Sequence, residues 1–264
     1  MSFFLIKRII ASLTNAFGIS SIMLRRLNKR NTNYVRVINY HETDNCDADN
    51  FVRQIKWFKK NYQIISYEEF KSFINGKFVC RDKPGLLITF DDGKQNNYSI
   101  GSKILNKNNA KGLFFISSDL IGTKGYMTWD NVKELIKQGH FIGCHTSTHH
   151  RMNPNDPYDV LCYEIKESKE KIENNLKIDI SSFCWCGGEE KHYTKQASDV
   201  IKEAGYDYSF LTNSAIVTPE TNHLLIERTN IEASWGISLI KFQICGFIDL
   251  KYKKKRQRVE SLLS

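Results

Sequence analysis

The chain has 264 residues, 41% of them hydrophobic and 25% charged, which is ordinary globular composition and excludes a low-complexity or disordered chain. Its formal net charge of +9 is concentrated at the two ends: residues 1–30 and the run "KYKKKRQR" at 251–258 carry six basic residues each and no acid. Without those twelve, 26 basic residues face 29 acidic ones, so the body is mildly acidic, which speaks against nucleic acid as a partner and for an anionic surface lying against the ends.

In chain order, Phe3, Ile6, Ile10, Leu13 and Phe17 recur at helical spacing and predict a basic amphipathic segment over 1–33. "YVRVINYH" (34–41) reads as a strand, "FVRQIKWFKKNY" as a helix, and "QIISYEEF" as a short β-like run entering another helix. "GLLITF" (85–90) is the next strand, then "NYSIGSKILNKNN" a helix and "AKGLFFIS" a strand. "TWDNVKELIKQGH" is a helix with Thr128 as N-cap and Gly139 as its stop, followed by the strand "FIGCHT". "PYDVLCYEIKESKEKIENNL" predicts a long helix, "SSFCWCGG" a strand, "KQASDVIKEAG" a helix, and "YDYSFLT" and "LLIERTNI" the last strands. Ile237, Ile240, Ile244, Phe247 and Ile248 predict a second amphipathic helix within 236–264, docked on the domain and leading into the basic tail.

The alternation of helices with apolar strands indicates parallel strands covered by helices, in a number that fits a (β/α) barrel over 34–235. Neither end is apolar for the roughly 20 residues that crossing a bilayer requires, and Lys7 and Arg8 interrupt the first apolar run in a way that also spoils a signal peptide. Seven scattered cysteines, an odd number, read as free thiols. The resulting expectation is a cytoplasmic protein lying against the inner face of a membrane.

Barrel chemistry sits where strands end. The first strand ends on His41, "GLLITF" on Asp91 and Asp92, "FIGCHT" on His145 with His149 four residues on, and "SSFCWCGG" on cysteines and glycines. Two imidazoles and a carboxylate that leave one position open make a hydrolytic metal site. His150, His140 and His192 receive no role, and core packing is the default for Trp129 and Trp185.

"TFDDG" (89–93) and "HTSTH" (145–149) resemble two motifs of the polysaccharide deacetylases, the NodB-homology or carbohydrate esterase family 4 enzymes, and "SSFCWCGG" resembles a degraded third. The resemblance covers about residues 34–235. It implies an irregular (β/α) barrel of the NodB-homology type, here with flanking amphipathic terminal helices. It implies that Asp92, His145 and His149 hold one divalent metal ion, zinc first, with cobalt, manganese or iron as alternatives. It implies that Asp91 is the general base and that the Gly187 N–H helps hold the oxyanion. The reaction would remove an N-acetyl group from an amino sugar.

The sequence departs from the family pattern in two places. The late histidine motif has no match, so His41 is the first candidate for the general acid, ahead of His223. Cys184 and Cys186 stand where an arginine and a proline are usual, and Arg228 is the candidate to orient Asp91 instead. The basic amphipathic ends narrow the substrate expectation to an undecaprenyl-diphosphate-linked N-acetylhexosamine of bacterial surface polysaccharide or lipopolysaccharide assembly. Removal of a formyl group and a catalytically inactive sugar-binding relative are the alternatives.

Overall fold

The computed structural model describes residues 3–30 and 32–263. The chain opens with two helices, α1 (Phe3–Ala16) and α2 (Ile19–Arg30), separated at Gly18, whose φ of 70° only glycine adopts cheaply. Strand β1 (Val35–Tyr40) is followed by α3 (Ala48–Asn61), β2 (Gln63–Ile64), α4 (Tyr67–Ile74) and β3 (Gly85–Phe90). The segment 97–107 is helical in two parts, a wide turn over Asn97–Ser102 and then α5 (Lys103–Lys107). Next come β4 (Gly112–Ile116), α6 (Trp129–Lys137) and β5 (Phe141–Cys144). The long helix expected over 157–176 is continuous but locally widened, with α7 (Tyr158–Cys162), a π-helical turn Tyr163–Glu167, and α8 (Ser168–Leu176). The remaining elements are β6 (Ser182–Cys184), α9 (Lys195–Glu203), β7 (Tyr208–Leu211), β8 (Ile216–Val217), β9 (Ile226–Glu227), β10 (Thr229–Asn230), α10 (Ile237–Ile244) and α11 (Phe247–Leu263).

The strands form one mainly parallel sheet in the order β10-β1-β3-β4-β5-β6-β7-β9, with β2 added beside β3 and β8 antiparallel to β1. The expected strand "LLIERTNI" is two short strands divided at Arg228: its first half pairs with β7 and its second with β1. One stretch of chain therefore joins the two ends of the sheet and nearly closes the barrel.

Alternation along each strand sorts the side chains. Val35, Val37, Leu87, Leu113, Phe115 and Phe210 share a core inside the barrel with Phe70 and Phe73 of α4. Helix α4 thus plugs the end where strands begin. It is started by a capping box, in which Ser66 accepts from the Glu69 N–H and Glu69 reaches back to the Ser66 N–H. Ile38, Leu86, Ile88, Phe90, Phe114 and Phe183 point the other way, into the larger core beneath the surrounding helices. Thr128 caps α6, and Gly139 at φ 80° ends it as expected.

The terminal segments, read as appendages with boundaries at 33/34 and 235/236, share the body's core: Ala11, Leu24, Ile240, Ile244, Val259 and Leu263 all belong to the larger cluster. The single C-terminal amphipathic helix is corrected. Gly246, at φ 103°, divides it, so Phe247 and Ile248 start a new helix rather than extending the face of Ile237, Ile240 and Ile244. Helix α11 carries the whole basic run. Its Asp249 accepts two hydrogen bonds, both of 2.8 Å, from the buried guanidinium of Arg36 on the outer face of β1. The seven cysteines are all free thiols. Among the described residues no helix is long and apolar enough to cross a membrane.

Candidate active site

The inward alternation that fills the barrel with apolar side chains changes chemistry at its last layer. On β3 the inward positions run Leu87, Thr89, Asp91, and the neighbouring strands contribute Asn39, His145, Cys184 and Arg228 to the same level. Of these groups Asp91 and His145 open into a cavity of about 520 Å³, lined also by His41, Asp92, His149, Gly187 and Tyr252, and the others lie beneath it.

Arg228 holds Asp91 bidentately. Nη1 donates to Oδ1 at 2.6 Å and Nη2 to Oδ2 at 2.8 Å, with both side chains buried. Asn39 Nδ2 donates to Oδ2 at 3.3 Å, and Asn97 Nδ2 to the Asp91 carbonyl. Burial pushes the Asp91 carboxyl towards the neutral form, but the guanidinium and His145 outweigh it and hold the pKa below the ordinary value. The barrel closure described above is what delivers Arg228: the residue that interrupts the last strand reaches inward across Phe115, its guanidinium 5.2 Å from the ring centre.

Asp92, His145 and His149 meet at the rim. Asp92 Oδ1 lies 3.5 Å from His145 Nε2 and 3.1 Å from His149 Nε2. Nδ1 of His145 is 2.9 Å from the Cys184 carbonyl. A carbonyl only accepts, so Nδ1 carries the proton and Nε2 presents a lone pair towards Asp92. Oδ1 of Asp92 is buried and receives no hydrogen bond. A buried carboxylate oxygen that faces two imidazole nitrogens at 3.5 and 3.1 Å offers donors for a divalent cation, since ligand bonds of about 2.0–2.2 Å place such donors roughly 3.3 Å apart. Asp92, Thr146 and His149 all have positive φ (71°, 65° and 65°), so backbone strain is concentrated where this donor set is built. His145 and His149 both sit on the loop that follows β5.

Cys186 Sγ also lies within 4.8 Å of donor atoms on both histidines. It stands on the Nδ1 side of His145, at 3.6 Å, away from Asp92. Burial pushes the Cys184 thiol up to about 11 although Arg228 opposes it, and the sulfur accepts from Arg228 Nη2. A protonated thiol is a poor ligand. Cys184 is therefore a hydrogen-bonding group beneath the rim, and Cys186 Sγ donates to the His145 carbonyl at 3.5 Å.

His41 stands on the rim with Nε2 4.0 Å from Asp91 Oδ2 and Nδ1 3.8 Å from Glu232 Oε1. Burial lowers its pKa, but the carboxylates of Glu232, Asp91 and Asp92 outweigh that and raise it, favouring the protonated donor. His223 is corrected as the alternative acid. Its ring stacks on Tyr208 at the start of β7, the opposite end of the barrel from Asp91. Gly187, at φ 77°, lies on the cavity wall, where a Cβ would meet Glu189 Oε2 at 3.2 Å and Arg151 Cδ at 3.3 Å. Trp185 lines the cavity but is nearly buried, its Nε1 donating to Ser209.

Sequence reasoning missed three groups. Glu232 faces His41. Glu164, on the π-helical turn, accepts from the N–H groups of Ser147 and Thr148 and from the Thr148 hydroxyl, which fixes the loop that carries His149. Tyr252 of α11 walls the cavity, and Lys255 one turn on donates to the Gly188 carbonyl and lies over the Tyr252 ring. The three histidines given no role are structural. His140 accepts from the Gly112 N–H, its pKa lowered to about 4 by burial and Lys111, while His150 pairs with Asp156 and His192 with the Met152 carbonyl.

The model of the family described as Polysaccharide deacetylase matches residues 79–209. Over those residues the chain matches this family, with the barrel type and the two strand-end motifs that the resemblance implied. Among curated proteins it is 25% identical over 182 residues to YxkH of Bacillus subtilis, covering 69% of this chain and 63% of that protein. It is 26% identical over 206 residues to a poly-beta-1,6-N-acetyl-D-glucosamine N-deacetylase of Staphylococcus aureus, covering 72% of this chain and 69% of that one. The match thus spans less than two thirds of the Bacillus relative. Among solved structures, the Streptococcus pyogenes deacetylase PplD superposes with a TM-score of 0.68 at 20% identity, over 80% of this chain and 98% of that one. A de-N-acetylase of Aggregatibacter actinomycetemcomitans gives 0.69 at 21%, over 79% and 99%. These structural likenesses show the fold.

Proposed function

We propose that the protein is a metal-dependent hydrolase that removes an N-acetyl group from an amino sugar. The observation that carries this reading is the convergence of Asp92, His145 and His149 beside an Asp91 that Arg228 locks in place. A divalent ion at that donor set, zinc first among zinc, cobalt, manganese and iron, would lower the pKa of water and polarise the amide carbonyl. Asp91, which lines the cavity, takes the proton of the attacking water on its cavity side, while Arg228 and Asn39 fix the plane of its carboxylate from below. The Gly187 N–H, on the cavity wall, faces the developing oxyanion. His41, whose protonated form Glu232 and Asp91 favour against burial, donates to the departing amine, which cannot leave as an anion.

Tyr252 supplies a face for a sugar ring. Tyr252→Ala is expected to raise KM about 5- to 10-fold while kcat stays within about twofold, read from steady-state kinetics on an N-acetylated oligosaccharide.

The finer reading concerns the substrate: an N-acetylhexosamine carried on undecaprenyl diphosphate at the cytoplasmic face of a membrane. It is supported by the two basic ends and by the unusual exposure of α1 described below. The same groups would also act on a formamido sugar. The alternative of an inactive binder is disfavoured by Arg228, which occupies the orienting position left open by Cys184.

The test follows acetate release and loss of one acetyl mass from lipid-linked and soluble N-acetylated sugars, and formate release with loss of one formyl mass from N-formylated ones. Stripping the protein with a chelator is expected to abolish turnover, and zinc or cobalt to restore it. Turnover that survives complete metal removal would overturn the mechanism. Metal binding without turnover on any of the three would establish the binder instead.

A further inference from the structure

Helix α1 is inside out. Ala11 is 1% exposed and faces the body, and Thr14 bonds Ser20 of α2 on the same side. Lys7, also turned to the body, sits 4.3 Å from the centre of the Trp235 ring, and burial lowers its pKa to about 8. The apolar residues point outward: Leu5, Ile6, Ile9, Ile10, Leu13 and Phe17 are all exposed, Phe17 at 75% and Leu13 at 53%. Four of the five residues that define the expected amphipathic face lie on this outward side, and the side chain of Phe3 is outside the described residues. Ile19 and Ile22 continue the patch onto α2. A continuous apolar stripe of this length is seldom left to water.

Position and charge identify its occupant. Trp235 belongs to the loop that follows β10, and Glu232 of that loop faces His41 at the cavity rim. Both Glu232 and Lys251 act on Lys7, and Tyr252 next to Lys251 lines the cavity. The stripe therefore begins beside the catalytic mouth. Arg8, Arg25, Arg26 and Lys29 are exposed around it, and Lys251, Lys253 and Lys254 add further exposed cations from α11. There is no acid in residues 1–30. A second copy meeting this face about a two-fold axis would set cations against the same cations. An anionic lipid surface instead covers the apolar stripe with acyl chains and pairs the cations with head groups.

We propose that the outward face of α1 and α2 seats the protein in the interface of an anionic membrane, with the catalytic mouth beside the lipid. This deepens, and rests on, the reading of a membrane-borne sugar substrate.

The test uses the full-length, metal-loaded protein in vesicle flotation. Phosphatidylcholine vesicles are compared with vesicles that also contain phosphatidylglycerol. Wild type is expected to float with the anionic vesicles and far less with the neutral ones. The variant Ile6→Ser/Ile10→Ser/Leu13→Ser/Phe17→Ser is expected to partition at least roughly tenfold more weakly. These side chains are exposed, so its circular dichroism and its turnover on a soluble N-acetylated oligosaccharide should match wild type. Equal partitioning of the two proteins, or no flotation of wild type with anionic vesicles, overturns the proposal. So does a wild-type dimer in sedimentation that the variant converts to monomer, since a second copy would then cover the face. Flotation is read without catalysis, so absence of turnover with flotation intact would count against the hydrolase reading and leave the docking face standing.

Discussion

Asp91→Asn is expected to lower kcat by about 10²–10⁴-fold, the range lost with a general base, while the protein keeps its divalent ion. The separation follows from geometry. Asp91 turns inward to Arg228 and Asn39, whereas its neighbour turns to the two imidazoles. A strand has period two, so adjacent carboxylates face different partners, and the positive φ of Asp92 sharpens the division. The doubled charge in "TFDDG" thus resolves into one carboxylate fixed by a guanidinium and one left to a cation. Asparagine is nearly isosteric and still offers Oδ1 to Arg228 Nη1, so the fold should survive. Near-ultraviolet circular dichroism and metal analysis establish that it does before rates are compared. Asp92→Asn is the contrasting variant and is expected to lose the metal and the activity together. Wild-type turnover in Asp91→Asn would remove Asp91 from the mechanism. Metal loss in Asp91→Asn would mean that the two carboxylates are not divided as described.

How much of this was legible in the sequence follows from which distances matter. "TFDDG" and "HTSTH" each deliver their groups through a single strand end, so a local reading finds them. Arg228 was within reach because a charged residue in the middle of "LLIERTNI" interrupts a strand pattern, but its partner was not, since the pairing closes the barrel across 137 positions. Glu232 and Glu164 were not legible. Nothing local distinguishes them among 29 acidic residues, and their roles come from which loop and which turn pack beside the site. The apolar periodicity of α1 was visible, but its direction was not. Periodicity says that a face exists, and only the packing of Lys7 on Trp235 and of Ala11 into the core says that it is turned outward. The C-terminal face failed for a complementary reason. Its spacing runs through Gly246, where a left-handed backbone ends one helix and redirects the next.

That redirection sets up the second large effect. Asp249→Ala is expected to cost about 3–5 kcal/mol of stability, because it leaves the fully buried guanidinium of Arg36 without its counter-charge. The carboxylate also accepts from the Ser214 hydroxyl, and Arg256 about two turns on donates to the Asn213, Ser214 and Asp249 carbonyls, so the pair fastens the whole start of α11. Burial raises the Asp249 pKa, but Arg36 outweighs it and keeps the carboxyl below its ordinary value. A depressed acid contributes stability that is fully present above its unfolded value near 3.9 and is lost as pH falls through the folded value. Urea unfolding at neutral pH should therefore show the full difference between wild type and Asp249→Ala, and the two should converge as the solution is acidified below about pH 4. Because the same helix places Tyr252 in the cavity wall, the variant should also show the raised KM expected of Tyr252→Ala at temperatures where it remains folded. The double variant Arg36→Met/Asp249→Ala removes both charges and should recover much of the lost stability, since a matched apolar replacement of a buried ion pair is close to neutral. If Asp249→Ala unfolds at the same urea concentration as wild type at neutral pH, the ion pair does not hold α11, and the catalytic wall must be anchored by the contacts of Lys255 and Arg258 with the loop at 188–190 instead.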